Sequence, residues 1–321
     1  MSQESAPRLI VALYGPTSSG KTHVSVELCL RLRDELGVEP VVISADSRQV
    51  YRHMDIGTSK TTREEMHGVR HEMIDVAEPI RKLELENFVS QARDHMDACW
   101  DSGGVPVVVG GTSVYVRSLL EGWEVDAVAE SRNALKKDFP RSMASDAHEV
   151  LARLDRKAAA KLHANNYDGV INALAHVMGN DTERSKSALG ARRVVLGIDR
   201  PVRDLDRRVA GTYDNQMRRG LQDEILDLNA RYGLEDQFRR LSNQAPNQVL
   251  HTHGYSEWFE LARETGKPLD RLTPDDLDTV RERVVERIRT HTRRQRSAFK
   301  KLQGVRMIRN AREAFTTTCD A

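Results

Sequence analysis

Short, wholly apolar runs alternate along the chain with longer stretches in which apolar residues recur at helical spacing. Leu9–Tyr14 (LIVALY) is the first such run, and it stops abruptly at Gly15-Pro16. That pattern predicts a strand buried on both faces that leads into a loop. From Lys21 to Leu36, Val24, Leu28 and Leu32, with Val26 and Leu30, predict a helix ended by Gly37. Val41–Ser44, entered after Pro40, predicts a second buried strand. Leu83–Trp100 predicts a helix, and Val105–Val109 a third strand bounded by Gly103-Gly104 and Gly110-Gly111. Strands apolar on both faces and alternating with helices indicate a parallel sheet, hence an α/β fold. Residues 125–190 change character. Val150, Leu151 and Leu154, then Ala158–Leu162 and Val170–Met178, carry helical patterning with no strand, which predicts a helical insertion. Val194–Ile198 predicts a strand that returns to the sheet, followed by helices near 203–231, 255–265 and 275–302. The expected organisation is a core over 1–124, an insertion over 125–190, a return with C-terminal helices over 191–303, and a tail over 304–321. Arg306–Ala321 lacks periodicity and is expected to fray.

Composition changes this picture little. With 321 residues, 39% hydrophobic and 30% charged, the chain can bury a substantial core and is neither disordered nor fibrous. A net charge of +1 gives no bulk attraction to nucleic acid or membrane, so any such preference must come from local clustering. Three scattered cysteines, Cys29, Cys99 and Cys319, fit a reducing cytoplasm better than a disulfide framework. The run Leu9–Tyr14 is far too short to span a membrane, so no membrane role is expected.

Candidate chemistry sits in the loops after the predicted strands. Gly15-Pro16-Thr17-Ser18-Ser19-Gly20-Lys21-Thr22 is a complete GxxxxGK[ST] between a strand and a helix, the context that the motif requires. Its glycines let backbone N–H groups converge on phosphate oxygens at a helix N-terminus, whose dipole favours negative charge. Lys21 adds a mobile cation, and the Thr22 hydroxyl is placed to ligate Mg²⁺. The fold class expected is therefore a P-loop NTPase-like parallel sheet flanked by helices, with a mostly helical insertion and a helical C-terminal part. A chance match in a glycine/serine turn is the plainer alternative. After the second strand comes Ser44-Ala45-Asp46-Ser47-Arg48-Gln49-Val50-Tyr51. A carboxylate there points into the crevice where parallel sheets bind ligands, to meet a Mg²⁺ shell or to accept a proton. Asp46 can equally serve only as a helix N-cap. The third loop, Gly110-Gly111-Thr112-Ser113, reads either as a phosphate- or base-contacting turn or as a plain strand-to-helix turn.

Taken in order, GPTSSGKT, ADSRQVYRHMDIGTSK, GVRHEMIDV and VVGGTSVYVRSLLEG resemble the bacterial tRNA dimethylallyltransferases, a family with adenylate-using relatives. The resemblance continues at LGIDRP (196–201), MRRGLQDE (217–224), HGYSE (253–257) and TRRQ (292–295), and so touches most of residues 9–302. It implies transfer of a dimethylallyl group from dimethylallyl diphosphate to N6 of adenine, with tRNA or a free adenine nucleotide as acceptor. It also implies that Gly15, Thr17, Ser18, Ser19, Gly20, Lys21 and Thr22 hold the diphosphate, with Mg²⁺ at Thr22. Asp46 becomes the general base, with Thr112 and Lys21 beside it in catalysis, and Ser47, Arg48, Gln49 and Thr112 contact the acceptor. This suits the chemistry, because an aryl amine is a weak nucleophile that needs both a neutralised leaving group and a base.

The sequence departs from the family pattern at two places. A segment usually like HPNDxxRxxRALE is here His163–Ala175, with Gly169, Asn172 and Ala175 in place of two arginines and a glutamate. Thr212 stands where the family has an arginine, expected to face the diphosphate, which leaves Arg207 or Arg208 to substitute. The first loss leaves tRNA and a small acceptor both open. Residues 281–301 carry a local excess of seven positive charges, with Arg283, Arg287 and Arg294 on one helical face. That stripe is expected to track RNA phosphates, Arg287 and Arg294 above all, or else to be a solvated helix face. A P-loop kinase and a non-catalytic RNA-binding module are the readings from other classes. Trp100, Trp123 and Trp258 read as packing anchors, and His251 and His253 as a weak zinc signal at most.

Overall fold

A computed structural model describes residues 8–121, 132, 134–178, 189–241, 245–299 and 304–320. They form two compact units, Met1–Leu120 with Gly190–Ala321, and Glu121–Leu189.

The larger unit is built on six parallel strands: β1 (Arg8–Tyr14), β2 (Pro40–Ser44), β3 (Arg70–Glu72), β4 (Val105–Gly110), β5 (Ala191–Gly197) and β6 (Val305–Met307). They lie in the order β3-β2-β4-β1-β5-β6. β1 is central, with Val11 paired to Val107 of β4 on one side and to Val194 of β5 on the other. This is why LIVALY has no polar alternate: Ile10–Leu13 are fully buried and Tyr14 nearly so. Helix α1 (Lys21–Leu36) lays Val24, Leu28 and Leu32 against that sheet, in one core with Leu13, Val109 and Leu196. Four predicted strands and the helices over 21–36 and 83–100 are found within a few residues of expectation, the latter as α3 (Leu85–Asp101), after a single turn α2 (Arg63–Met66). Helix α4 (Ser113–Leu120) follows β4.

The smaller unit contains α5 (Ala144–Leu154), α6 (Arg156–Ala159) and α7 (Tyr167–Met178), with no strand among its described residues. Ala147 and Leu151 pack with Val170, Ile171 and Leu174; of the face expected from Val150, Leu151 and Leu154, Leu151 is buried, Val150 packs against the cluster and Leu154 is exposed. His148 is spent inside this unit, its Nε2 facing the carbonyls of Ala159 and Leu162 at 3.1 and 2.8 Å.

After β5 come α8 (Val202–Arg218), α9 (Leu221–Tyr232), α10 (Leu234–Leu241), α11 (Ser256–Thr265), α12 (Pro274–Phe299) and α13 (Ala311–Cys319). The single helix expected over 203–231 is two, because Gly220 adopts φ +97° and breaks it. Trp258 is 1% exposed, and Trp100 donates its indole N–H to the Leu9 carbonyl at 2.7 Å, so both are packing anchors; Trp123 lies outside the described residues. Among the described residues no helix is long and apolar enough to cross a membrane.

The expectation that the tail frays is overturned. β6 pairs with β5, and the Ile308 amide donates to Gly197 O at 2.9 Å. Asn310 caps α13 by accepting from the Glu313 amide, and Ala311 and Ala314 are fully buried in the core that α1 shares. A three-residue strand is too short to show periodicity. The Asn-x-x-Glu cap at 310–313 was the readable signal. Replacing Ala314 by Leu should overpack this seam and lower stability by about 1–3 kcal/mol, read from urea denaturation; an unchanged midpoint would mean that α13 is not docked.

Candidate functional site

Three loops at the carboxyl ends of β1, β2 and β4 converge on one cleft of about 950 Å³. In the first, Gly15 must be glycine, since a Cβ there would lie 2.3 Å from the Ile198 carbonyl oxygen. Ser18 and Gly20 both have positive φ, 63° and 96°, which curls the loop as α1 begins. Lys21 folds back on its own loop, its Nζ donating to the Pro16 carbonyl at 2.9 Å. Desolvation by the surrounding loop pulls its ammonium down to about 8, partly offset by the Asp46 carboxylate. Arg200 braces the loop from outside by donating its Nε–H to the Ser19 carbonyl at 2.7 Å. The Ser19 hydroxyl is fully buried without a hydrogen-bond partner, an orphan polar atom inside the expected anion cradle.

Asp46 caps no helix, because Ser47–Val50 is a turn; its Oδ1 closes that turn by accepting the Arg48 amide at 2.8 Å, and the residue lines the cleft. The third loop locks onto the second. Thr112 Oγ1 accepts the Ser47 amide at 3.1 Å, and the Ala45 amide donates to Val109 O at 2.7 Å. Thr17, Ser18, Gly20, Lys21, Thr22, Asp46, Ser47, Arg48 and Thr112 therefore all reach the cleft, as expected. Gly15, Ser19 and Gln49 do not line it. Gln49 is instead turned into the fold, its amide donating to Ser59 O at 3.3 Å and accepting from the Ser44 hydroxyl at 3.4 Å.

The expected arginine stripe is largely neutralised. Arg287 makes a double bond pair with Glu260, at 2.8 and 2.6 Å, and meets Glu257 at 3.3 Å, outside the cleft lining. Arg281, Arg283, Arg293 and Arg296 pair with Asp214, Glu264, Asp206 and Asp199. These partners come from α8, α11 and the segment after β5, which helical spacing on α12 cannot reveal. Arg294 differs: it lines the cleft and has no carboxylate partner among the described residues. Lys300 and Lys301 lie outside the described residues.

Several site residues carried no isolated sequence signal. Gln295 Oε1 accepts from both the Thr17 amide and hydroxyl, at 2.9 and 3.0 Å, while its Nε2 donates to Gly111 O at 3.0 Å. Arg208 lines the cleft, as Thr212 does, whereas Arg207 does not; the Thr212 and Ser18 hydroxyls are 3.5 Å apart. His253 and His291 meet edge-on with ring centroids 6.0 Å apart, and burial lowers the basicity of His291. His253 Nδ1 lies 3.4 Å from fully buried Glu257, so this histidine is held by a carboxylate; no group of three or more ligands that could hold a metal exists among the described residues.

The electrostatic balance of the cleft is lopsided. Asp46 is the sole carboxylate among its described lining residues, against Lys21, Arg48, Arg208 and Arg294. Such a site binds a polyanion and offers one acceptor for a proton.

The model of the IPP transferase family matches residues 49–302. A tRNA dimethylallyltransferase of Thermomicrobium roseum is 38% identical over 228 residues, covering 68% of this chain and 67% of that protein. One of Bacillus velezensis is 32% identical over 91% of this chain and 87% of its own length. Among solved structures, the full-length tRNA isopentenylpyrophosphate transferase of Bacillus halodurans superposes with a TM-score of 0.63 at 28% identity, covering 96% of this chain and 93% of that one. A eukaryotic dimethylallyltransferase acting on tRNA shares the fold, with a TM-score of 0.71 at 20% identity.

A depressed ammonium at Lys21 has a measurable consequence. As pH rises through about 8 the amine loses its charge in the free protein, and an incoming polyanion favours the protonated form. Calorimetry with inorganic diphosphate in two buffers of different ionisation enthalpy, run in parallel on the wild type and Lys21→Ala, should show the wild type taking up more protons than the variant at pH 8.5 and the same number at pH 6.5, a difference from which the ligand's own ionisation cancels; no difference at pH 8.5 assigns the proton elsewhere.

Proposed function

This chain belongs to the IPP transferase family, and from that premise we propose that it transfers a dimethylallyl group from dimethylallyl diphosphate to N6 of an adenine in tRNA. The observation that carries the reading is the lone carboxylate of Asp46 lining the same cation-rich cleft as the phosphate loop, among the described residues.

The reaction breaks the allylic C–O bond, forms a C–N bond at N6 and releases diphosphate and one proton. Lys21 and the loop amides at the start of α1 meet the diphosphate, and their charge is most valuable as negative charge builds on the leaving oxygen. Arg208 takes the place of the arginine that Thr212 replaces, since it is the one of the two candidate arginines that lines the cleft. Val209, Ile288 and Ala298 add apolar side chains to the lining of the same cleft, which an allylic chain needs. Asp46, fixed at one oxygen by the Arg48 amide, keeps its second oxygen for the N6 proton. Thr112 holds the Ser47 amide and so fixes the turn that carries Asp46.

The residues fit a magnesium ion. The Thr22 hydroxyl lines the cleft beside the phosphate loop, and Mg²⁺ is held by one or two such protein oxygens together with substrate phosphates rather than by an all-protein cage. When bound, it would neutralise the leaving diphosphate.

For the acceptor, Arg48 and Arg294 line the cleft with no carboxylate partner among the described residues. They serve to hold a nucleic-acid backbone and leave the choice of base to the pocket. The adenine has to leave its stack to reach Asp46, as bases do in other base-modifying enzymes.

Incubating the protein with dimethylallyl diphosphate, Mg²⁺ and tRNA should yield a prenylated adenosine by mass, and no product with either tRNA or AMP rejects the assignment. Asp46→Ala should cut turnover about 10²–10⁴-fold with donor affinity retained. Arg294→Ala should weaken tRNA binding and reduce its salt dependence by roughly one phosphate contact, whereas Arg287→Ala should leave that salt dependence unchanged. Equal salt slopes for the two variants would remove Arg294 from the acceptor site.

A further inference from the structure

The segment Asp55–Ser59 forms one wall of the cleft through Gly57, Thr58 and Ser59, yet it belongs to no helix or strand. Three of its consecutive amides point at a single carboxylate. The Asp55 and Ile56 amides donate to Glu224 Oε2 at 2.9 and 2.7 Å, and the Gly57 amide donates to Oε1 at 3.1 Å. The Tyr255 hydroxyl donates to the same Oε1 at 2.7 Å. Four donors thus converge on two oxygens of a side chain from α9. Tyr255 itself is fully buried, and Gly57 sits so close to its ring that a Cβ would come within 2.4 Å.

A second helix reads the far end of the same segment. Gln216 of α8 donates from Nε2 to the Gly57 carbonyl at 3.0 Å and to the Ser59 hydroxyl at 2.9 Å. The Ser59 carbonyl in turn accepts from the Gln49 amide, so the orientation of Gln49 depends on where this segment is held. Within the segment, the Thr58 hydroxyl donates to Met54 O, and the Ser59 amide donates to Ile56 O. None of these bonds touches the phosphate loop.

We infer that Glu224, with Tyr255 and Gln216, is a positioning residue for the nucleic-acid acceptor, holding the Gly57–Ser59 wall in a binding-competent arrangement while leaving the diphosphate side untouched. This rests on the acceptor reading given above. A carboxylate is required because every one of its four partners is a donor. An amide at this position keeps one accepting oxygen and turns an N–H₂ toward an N–H or the Tyr255 hydroxyl. Glu224→Gln, equal in shape, therefore removes the clamp without opening a cavity.

The test measures two affinities separately on the full chain, for tRNA by fluorescence anisotropy and for dimethylallyl diphosphate with Mg²⁺ by calorimetry, with the melting temperature of each variant recorded. Glu224→Gln and Glu224→Ala should weaken tRNA binding by at least about tenfold, as expected when charge-assisted bonds are lost, and shift donor affinity by less than about twofold. Tyr255→Phe keeps the ring and deletes one of the four donors, so its tRNA affinity should fall by only a few fold. Should Glu224→Ala fail to fold, Glu224→Gln and Tyr255→Phe carry the comparison. Equal loss of both affinities would show a merely structural role and overturn the inference, and so would unchanged tRNA affinity in Glu224→Gln. A wild-type protein that binds the donor but not tRNA would instead fell the acceptor reading itself.

Discussion

One side-chain amide joins the parts that must meet for chemistry. Gln295 accepts twice from Thr17 and donates to Gly111, so a residue of α12 fixes the phosphate loop and the loop after β4 against each other. Neither loop holds that register alone, because the strands beneath them set only where each loop starts. Glutamine suits the position because it is donor and acceptor in one rigid plane. A glutamate would repel the Gly111 carbonyl and place a second negative charge beside an anion cradle. The long reach of α12 across the cleft is thus a requirement of the site.

Charge follows the same division of labour. The arginines of α12 that face α8, α11 and the segment after β5 are consumed in ion pairs there, and their excess is local bookkeeping within the fold. Exposed pairs of this kind contribute only about 0–1 kcal/mol each, so their main effect is to orient helices and to cancel field that would otherwise draw polyanions to the wrong surface. Within the cleft, Lys21, Arg48, Arg208 and Arg294 share the lining with one carboxylate. Substrate attraction is therefore focused where the chemistry occurs.

Much of this was legible in the chain itself. The strands β1, β2 and β4 announced themselves because both their faces are buried, β5 through its apolar second half, and the phosphate loop because glycine is forced at Gly15 and Gly20. β3 was not readable: Arg70-His71-Glu72 is a polar edge strand, and edges are often protected by charge. β6 was too short to carry a period. The arginine stripe misled for a different reason. Helical spacing shows which residues share a face but not what the neighbouring helix presents to it, so Arg287 and Glu260, 27 positions apart, could not be paired from sequence. Gln49 was placed in the right segment, but its amide donates to the Ser59 carbonyl ten residues on, a contact that spacing along the chain does not reveal.

The central position of β1 has a consequence for how the chain is made. Its partner across Val11 on one side is Val194, which leaves the ribosome 183 residues later. At ordinary elongation rates of ~5–20 residues per second, that interval lasts roughly 10–40 s. Throughout it, an apolar strand, Leu9–Tyr14, waits with at least one ladder of amides and carbonyls open, a state prone to pair with a neighbouring nascent chain. Polysome crowding, rather than the stability of the finished fold, is where this architecture is most exposed.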